Sequence, residues 1–303
     1  MPALTTPLQA AITFGVPKTE LSEEEQARYL ARFDVNDPVP TRTATVPIWD
    51  VRDEFDAGMG GRTALQQLEE TGFAYVKHHS AYAHEGGLET EAETEAYKAE
   101  CIALYKAILG ADEVIAWNVV IRDSGAGRPD LEGKMQLRAE AGAVPTSNLK
   151  AVAGSAHVDQ DEDYARTIIK RAAGDDAFER YSRAEIINLW RPVRGPVTNN
   201  PLAVSDFSTM DPDTDTMRMA GSYGSAYSVS YNERQRWHYL SHQTPDEAVL
   251  LLCYDSNMGK NGEALYTGHV ACTVLNERRL PELVRKPEIP RRSVEVRLFA
   301  LYK

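Results

Sequence analysis

A histidine and an aspartate stand two residues apart in the stretch AHVDQD, at His157 and Asp159. On an extended segment, side chains at this spacing project to the same side, while Val158 between them faces the other way. An imidazole nitrogen and a carboxylate oxygen placed in this way can bind one metal ion. With a second histidine they would form the ligand set that holds non-haem Fe(II). The alternative interpretation is a polar turn, because a histidine and an aspartate at this spacing often occur by chance.

Three histidines downstream could supply the third ligand. His238 and His242 lie four residues apart, but no glutamate follows His238 as a helical zinc motif requires. We interpret these two as surface or substrate-loop histidines. His269 begins the small-residue stretch HVACTV, where the end of a core strand would hold a ligand rigidly. We therefore predict that the metal ligands are His157, Asp159 and His269.

The last β-rich stretch, PRRSVEVRLFALY, has one charged face. Alternation along a strand places Arg291, Ser293, Glu295 and Arg297 on one side and apolar residues on the other. Burying such a face costs free energy unless it meets a partner. An anionic ligand would be such a partner, because the arginine fork matches a carboxylate and a serine adds a donor. The alternative is an edge strand whose charged face is solvated.

The order of these elements is typical of Fe(II)/2-oxoglutarate oxygenases. The H-x-D pair comes first, a histidine that begins a strand follows, and an R-x-S pair comes about twenty residues later. We expect a helical insert at about 163–181 and a loop at about 205–225 to account for the long separation between His157 and His269.

Helices in the first third of the chain would position this strand-rich part. Capping boxes at Ser22 with Glu25 and at Thr63 with Gln66 predict two helix starts. Gly72 would end the second helix. The segment 88–109 predicts an amphipathic helix ended by Gly110, with one apolar stripe formed by Tyr97, Cys101, Tyr105 and Ile108. Residues 1–45, rich in proline and threonine, are predicted to be an N-terminal extension.

The later two thirds of the chain contain short β-rich runs separated by turn residues. They are VIAWNVVIRDS, EIINLWRPV, YSVSYN, AVLLLCYDS, LYTGHVACTVL and SVEVRLFALY, and one helical insert interrupts them. Helices followed by six or more strands indicate an α+β protein with a β-sandwich or barrel core. Loops over one mouth of such a core commonly hold a small ligand.

Composition and charge narrow the classes of partner. The chain of 303 residues has a formal net charge of −12, so a nucleic-acid partner or an anionic membrane surface is disfavoured. Three widely spaced cysteines and the lack of a charged segment before the first apolar stretch predict a cytoplasmic protein without a signal peptide. No apolar run is long enough to span a bilayer.

The chain resembles the fungal hydroxylase/desaturase family of tailoring oxygenases, which includes gibberellin-desaturase-like and CmcJ/NvfI-like enzymes. The resemblance covers most of residues 45–303. Its most specific blocks are the N-x-W-R-P and P-L-A-x-x-D patterns. The matching stretches are GFAYVKH, HVDQD, INLWRPVRGPVTNNPLAVSDFST, RWHYLSHQTPDEAVLLLCYDS, GHVACTV and PRRSVEVR.

The resemblance implies a double-stranded β-helix, a jelly-roll of the cupin type, within one oxygenase domain over residues 1–303. It implies that His157, Asp159 and His269 bind Fe(II), and that Arg291, helped by Ser293 or Arg297, grips 2-oxoglutarate. With dioxygen, such an enzyme hydroxylates, desaturates, cyclises or peroxidises a small secondary metabolite. One departure is the absence of a Thr-aromatic pair after His269, which is expected to widen the pocket.

Further residues are predicted to border the bound molecules. Asn188 and Trp190 share one face of a strand, and we expect that face to border the cosubstrate or the substrate. An aromatic group is expected to line the cavity of a mostly apolar substrate or to be core, namely Tyr231, Trp237 and Tyr239. The N-terminal helices could serve a homodimer interface. The alternative functions are an iron dioxygenase that needs no keto acid and a non-catalytic protein that binds a small ligand.

Overall fold

A computed structural model describes residues 6–34, 36–124, 149–150, 153–221, 224–257, 259–260, 262–277 and 289–303. The strands are β1 (Leu8–Gly15), β2 (Thr41–Asp50), β3 (Phe73–Lys77), β4 (Glu113–Asp123), β5 (Leu149–Lys150), β6 (His157–Val158), β7 (Arg183–Pro192), β8 (Leu202–Ser205), β9 (Thr216–Ala220), β10 (Ser225–Val229), β11 (Trp237–Tyr239), β12 (Glu247–Asp255), β13 (His269–Ala271), β14 (Thr273–Val274) and β15 (Arg292–Tyr302). The α-helices are α1 (Glu23–Ala31), α2 (Arg52–Asp56), α3 (Ala64–Thr71), α4 (Glu91–Leu109), α5 (Glu162–Ala173), α6 (Ala177–Arg180) and α7 (Pro212–Asp215).

The described strands form two sheets that pack face to face. The major sheet has the order β14-β1-β2-β11-β8-β13-β6-β10-β9, and the minor sheet has the order β3-β12-β7-β15-β4-β5. Side chains from both sheets meet in one buried cluster, where Val204 of the major sheet packs with Trp190, Val249 and Leu251 of the minor sheet. This arrangement is a β-sandwich with flanking helices, as the α+β pattern of the sequence predicts.

The last strand lies inside its sheet rather than at an edge. β15 pairs with β7 on one side and with β4 on the other, and Ser293, Glu295 and Arg297 are all buried. The interpretation of this segment as an edge strand with a solvated face is therefore wrong. The charged face is directed into the interior of the sandwich, where each polar group needs a partner.

The capping patterns in the sequence coincide with helix starts in the structure. Both capping boxes form, with the Ser22 hydroxyl accepting from the backbone N–H of Glu25 and the Thr63 hydroxyl accepting from that of Gln66. Helix α4 packs Tyr97 and Tyr105 into the core that covers the outer face of the minor sheet. The three cysteines are buried and unpaired. Within the described residues, no helix is long and apolar enough to cross a membrane.

Two segments differ from the expectation. The predicted N-terminal extension contributes β1, which is paired over its whole length with residues 41–48 of β2 and belongs to the major sheet. Its alternating apolar residues, which include Ala10, Ile12 and Phe14, are buried, and the surrounding prolines and threonines hide this pattern. The predicted loop at 205–225 holds α7 and β9 as well as connecting turns.

Gly72 offers a test of how tightly α3 joins the minor sheet. Its φ is +85°, and an added Cβ would lie 2.5 Å from the backbone carbonyl oxygen of Tyr266. We expect Gly72→Ala to lower the free energy of unfolding by more than about 2 kcal/mol, because backbone strain and overlap add. Gly58 has a φ of +81° with nothing within 4 Å, so Gly58→Ala should cost only about 1 kcal/mol. Denaturant unfolding of both variants checks this, and equal losses would contradict it.

Candidate metal centre

Strand pairing brings the three predicted metal ligands together. His157 on β6 and His269 on β13 are directly opposite each other in the ladder, and their ring centroids are 4.5 Å apart. Asp159 follows β6 on the same side as His157, as the two-residue spacing predicts. One ligand atom from each of the three residues lies within 4.8 Å of the other two. The three side chains can therefore contact one ion.

Each histidine is oriented through its second ring nitrogen. Nδ1 of His157 lies 2.8 Å from the backbone carbonyl oxygen of Ser155, and Nδ1 of His269 lies 3.4 Å from that of Thr267. A protonated Nδ1 that donates to a carbonyl leaves Nε2 as the metal-binding atom. Nε2 of His269 is buried and has no hydrogen-bond partner among the described residues. Burial, together with His157, lowers the pKa of His269 to about 3, so this ligand is neutral at physiological pH.

The carboxylate of Asp159 is held by its other oxygen. Oδ2 accepts from Asn188 Nδ2 at 2.6 Å and from Arg297 Nη2 at 3.0 Å, whereas Oδ1 lies 3.5 Å from His157 Nε2. Burial alone would raise the pKa of Asp159, but Arg297, His157 and His269 outweigh it and hold that pKa well below its usual value. The residue is therefore an ionised carboxylate with one oxygen directed to the histidines. Two imidazoles and one fixed carboxylate fit Fe(II).

Asn188 should affect the affinity for the metal without contacting it. We expect Asn188→Leu to weaken Fe(II) binding by about 10- to 100-fold, because loss of a hydrogen bond to a ligating carboxylate typically has this effect. Competition with a chromophoric chelator measures the affinity. Asn276→Leu is the matched control, since Asn276 is exposed and bonds only the backbone of Gln9 in the described contacts. Equal affinities of the two variants would show that Asn188 does not support the ligand.

Arg291 is a buried arginine without an acidic partner among the described residues, and it lies near Arg122, which also acts electrostatically on His269. Among the described residues no carboxylate pairs with Arg291, whose guanidinium lies 5.2 Å from the ring centroid of Trp190 and donates to the backbone carbonyl of Asn200. Its Nε and the hydroxyl of Ser293 are buried without partners. Burial and the nearby Arg122 lower the pKa of Arg291 to about 9. This group of donors fits an anion.

Arg297 differs from Arg291 because it already has acidic partners. It contacts Asp159 and lies 3.7 Å from the Glu295 carboxylate. Burial would lower the pKa of Arg297, but these two carboxylates raise it. The structure therefore places Arg297 and Asn188 beside the carboxylate of the candidate ligand Asp159. Arg291 and Ser293 instead have buried donors that an anion could engage.

Strand β4 carries two polar residues at the site that the sequence analysis missed. In the ladder with β15, Asn118 is opposite Arg297 and Arg122 is opposite Ser293. Asn118 is buried, and neither end of its amide has a partner among the described residues. Their sequence signal is the alternation of Asn118 and Arg122 on one face of an otherwise apolar strand, which pairs with the polar face of β15.

The predicted substrate residues are only partly brought to this site. Trp190 lies beneath Arg291 in the interior. Tyr231 and Trp237 instead pack against Phe14, with ring centroids 5.3 and 5.4 Å apart respectively. Trp237 and Tyr239 alternate with His238 along β11, and both are in the large core cluster with Phe14.

His238 was interpreted as a surface or loop histidine, and that interpretation is wrong. It lies on β11 opposite Val204, the same residue that is opposite His269 on the other side of β8. The rings of Trp49 and Phe73 flank it at 5.9 and 5.5 Å, and both of its ring nitrogens are buried. Burial and nearby arginines lower its pKa to about 4. His238 therefore lies on the face of the major sheet that carries His269, and Trp237 lies on the opposite face.

Known proteins are similar to this chain in sequence and in fold. The model of a family described as "Oxidoreductase/YMDC permease-like domain" matches residues 21–301. The chain is 36% identical over 131 residues to "Aspirochlorine biosynthesis protein N" of Aspergillus oryzae, covering 40% of this chain but 49% of that protein. It is 28% identical over 242 residues to "Alpha-ketoglutarate-dependent dioxygenase phiK" of a fungal species, covering 78% and 79% of the two chains. The chain therefore spans about half the length of the first relative and about four fifths of the second.

A solved structure has the same architecture. The protein described as "iron and alpha-ketoglutarate-dependent endoperoxidase NvfI" superposes with a TM-score of 0.72 at 22% identity, and the match covers 98% of each chain. This likeness confirms the predicted jelly-roll fold. Further relatives carry the names "Hydroxylase/desaturase" and "Gibberellin cluster GA4 desaturase". The resemblance drawn from the sequence motifs is thereby confirmed.

Proposed function

Because the chain belongs to the family described as Oxidoreductase/YMDC permease-like domain, we propose that it is an Fe(II)/2-oxoglutarate-dependent oxygenase of secondary metabolism. One observation carries this proposal: a two-histidine, one-carboxylate group and a buried arginine that no described carboxylate pairs with are both close to Arg122, which acts electrostatically on His269 and on Arg291. The first group suits Fe(II), and the second suits the far carboxylate of a keto diacid. The names of the fungal relatives support both assignments.

His157, Asp159 and His269 would hold the iron. Bound Fe(II), with 2-oxoglutarate and dioxygen as cosubstrates, supplies the oxidising chemistry that no side chain of this protein can supply. The protein contributes the fixed positions of the ligand atoms, which the backbone carbonyls behind the imidazoles maintain. Arg297 and Asn188 keep the Asp159 carboxylate ionised and prevent it from rotating.

Arg291 and Ser293 would bind the far carboxylate of 2-oxoglutarate. A bidentate arginine contact and a serine hydroxyl satisfy both carboxylate oxygens, and they satisfy the donors that are otherwise buried without partners. Trp190 limits the position of the guanidinium from one side. Because Arg297 already forms an ion pair with Asp159, we propose that Arg291 contributes most to the binding of the cosubstrate.

An anaerobic titration tests this function. Purified metal-free protein is titrated with Fe(II) and then with 2-oxoglutarate, and the visible charge-transfer band of a chelated keto acid is recorded. We expect the band in the wild type, its loss in His157→Ala, and a much higher 2-oxoglutarate requirement in Arg291→Ala. Iron binding without a band would favour the oxygenase that needs no keto acid. Absence of iron binding would favour a non-catalytic binding protein.

Three finer properties remain proposals. We propose a single oxygenase domain over residues 1–303, supported by the entry of β1 and β15 into the two packed sheets. We propose a cytoplasmic location, supported by three buried and unpaired cysteines. A homodimer stays a prediction. We propose that the reaction is hydroxylation, desaturation, ring closure or peroxidation of the substrate.

A further inference from the structure

Arg122 on β4 belongs to the same interior surface as the residues that would bind 2-oxoglutarate. In the ladder between β4 and β15 it lies opposite Ser293. Residues directly opposite each other in an antiparallel pair project to the same face, with Cβ atoms about 5 Å apart. Ser293 is buried on the face of β15 that is directed into the sandwich, so the side chain of Arg122 also leaves its strand on that face. The iron and cosubstrate ligands proposed above do not include Arg122.

Two arginines flank β15 at this level from opposite sides. β15 pairs with β4 on one side and with β7 on the other. Arg122 comes from β4, whereas the guanidinium of Arg291 lies over the ring of Trp190 on β7. Burial and the charge of Arg122 lower the pKa of Arg291 to about 9, so the two positive charges are close enough to repel each other. A ligand with two negative charges would remove this repulsion.

Arg122 is also close to the candidate metal centre. Burial and His157 are the main causes of the lowered pKa of His269, and the charge of Arg122 adds to them. A positive charge beside a ligand of Fe(II) is unfavourable unless an anion offsets it. In the proposed function, the carboxylate next to the keto group of the cosubstrate would bind the iron, and it is such an anion.

A buried acid on the same surface would repel a bound anion. Glu295 lies between Ser293 and Arg297 on the interior face, and its Oε1 has no hydrogen-bond partner among the described residues. Burial and the carboxylate of Asp159 raise the pKa of Glu295, whereas Arg297 and Arg122 act in the opposite direction. Arg297 already pairs with Asp159, so Arg122 is the arginine that can offset Glu295 when an anion enters.

We propose that Arg122 is a second cosubstrate-binding residue, which binds the carboxylate next to the keto group while Arg291 and Ser293 bind the far carboxylate. Arginines from two segments of the chain would thereby recognise the two ends of the molecule. This assignment rests on the proposed oxygenase function, because it requires that a 2-oxo acid binds beside the iron. Arg122 is then needed for every 2-oxo acid, whereas Arg291 is needed only for one with a second carboxylate.

Two acids separate the roles of the arginines. 2-Oxoglutarate has both carboxylates, and 2-oxovalerate has a methyl group in place of the far one. Their affinities for the Fe(II)-loaded protein are measured anaerobically from the charge-transfer band. We expect Arg122→Met to weaken the binding of both acids by about tenfold or more, because a charged contact with the shared carboxylate is lost. Arg291→Met should weaken the binding of 2-oxoglutarate only.

Arg122→Lys and Arg42→Met are the matched variants. Lysine keeps the positive charge but not the fork, so Arg122→Lys should bind 2-oxovalerate less tightly than the wild type and more tightly than Arg122→Met. Arg42 is exposed and pairs with Glu20 at the surface, so Arg42→Met should bind both acids as the wild type does. Unfolding curves show which variants retain the fold. If Arg122→Met does not fold, equal affinity of Arg122→Lys and the wild type for 2-oxovalerate overturns the inference.

The affinity for Fe(II) alone separates a binding role from a structural one. Competition with a chromophoric chelator, without an oxo acid, measures this affinity. Removal of a positive charge near His269 should leave it equal to or above that of the wild type. If Arg122→Met loses as much affinity for Fe(II) as for the oxo acids, Arg122 supports the metal ligands instead, and the inference is overturned.

Three further results would overturn the assignment of Arg122. Unchanged binding of both acids by Arg122→Met removes this residue from the site. Weaker binding of 2-oxoglutarate alone moves Arg122 to the far carboxylate. In both cases a band in the wild type shows that the proposed oxygenase function still holds. Iron binding without a band in the wild type shows instead that the oxygenase function has failed, and the assignment of Arg122 fails with it.

Discussion

We expect His269→Ala to weaken Fe(II) binding by more than about 100-fold and to abolish turnover. The loss of a supporting contact behind a ligand already costs about 10- to 100-fold, and this variant removes the ligand itself. The remaining pair, His157 and Asp159, lies on one short segment, so no second strand would fix the ion. With two protein ligands, water also occupies more coordination positions of the ion than it does with a facial set of three.

Competition with a chelator measures the loss, and the charge-transfer band with 2-oxoglutarate gives a second readout. His79→Ala is the matched control, because His79 is exposed and contacts Asp246 at the surface. This control should bind Fe(II) as the wild type does. A His269→Ala protein that keeps the band at ordinary Fe(II) concentrations would remove His269 from the ligand set and leave His238 as the next histidine to test.

The grouping of the candidate ligands could be predicted from the sequence because it follows largely local rules. His157 and Asp159 share a side through the two-residue period of an extended chain, and this holds without knowledge of the fold. Placing His269 needed one more assumption, namely that it begins a core strand. Capping boxes are equally local, which explains why Ser22 and Thr63 mark helix starts correctly.

Features that depend on pairing between distant strands could not be predicted. The face of β11 that enters the interior is set by its register with β2 and β8, so the sequence alone does not show that Trp237 packs with Phe14 while His238 shares a sheet face with His269. A shift of one residue in such a register exchanges the two faces. Alternation along β4 marks Asn118 as polar, but its position opposite Arg297, more than 170 residues away in the chain, cannot be read from a single sequence.

The residues that pair with a buried charge also could not be predicted from the sequence. Arg291 and Arg297 share a strand face and are equivalent by pattern. Only the fold shows that Asp159 and Glu295 pair with one of them, whereas no described carboxylate pairs with the other. This difference separates a structural arginine from a binding arginine, and it has a consequence for stability that can be measured.

We expect Arg291→Met to weaken 2-oxoglutarate binding by about 100-fold while making the cosubstrate-free protein more stable. A hydrogen-bonded charged contact contributes up to about 3 kcal/mol, and a factor of 100 corresponds to that loss. Without the cosubstrate, however, the guanidinium is a buried charge with no described acidic partner, and an apolar side chain of similar length removes that cost. The free energy of unfolding should rise by about 1–3 kcal/mol. Denaturant unfolding without 2-oxoglutarate measures this change.

Arg297→Met is the matched comparison and should have the opposite effect on stability. It leaves Asp159 and Glu295 as buried carboxylates without their arginine, so we expect the free energy of unfolding to fall by about 3–5 kcal/mol. Added 2-oxoglutarate with Fe(II) should raise the melting temperature of the wild type and leave that of Arg291→Met nearly unchanged, because binding to the folded state alone is stabilising. If Arg291→Met destabilises the protein as much as Arg297→Met does, Arg291 is a structural residue and the anion site must lie elsewhere.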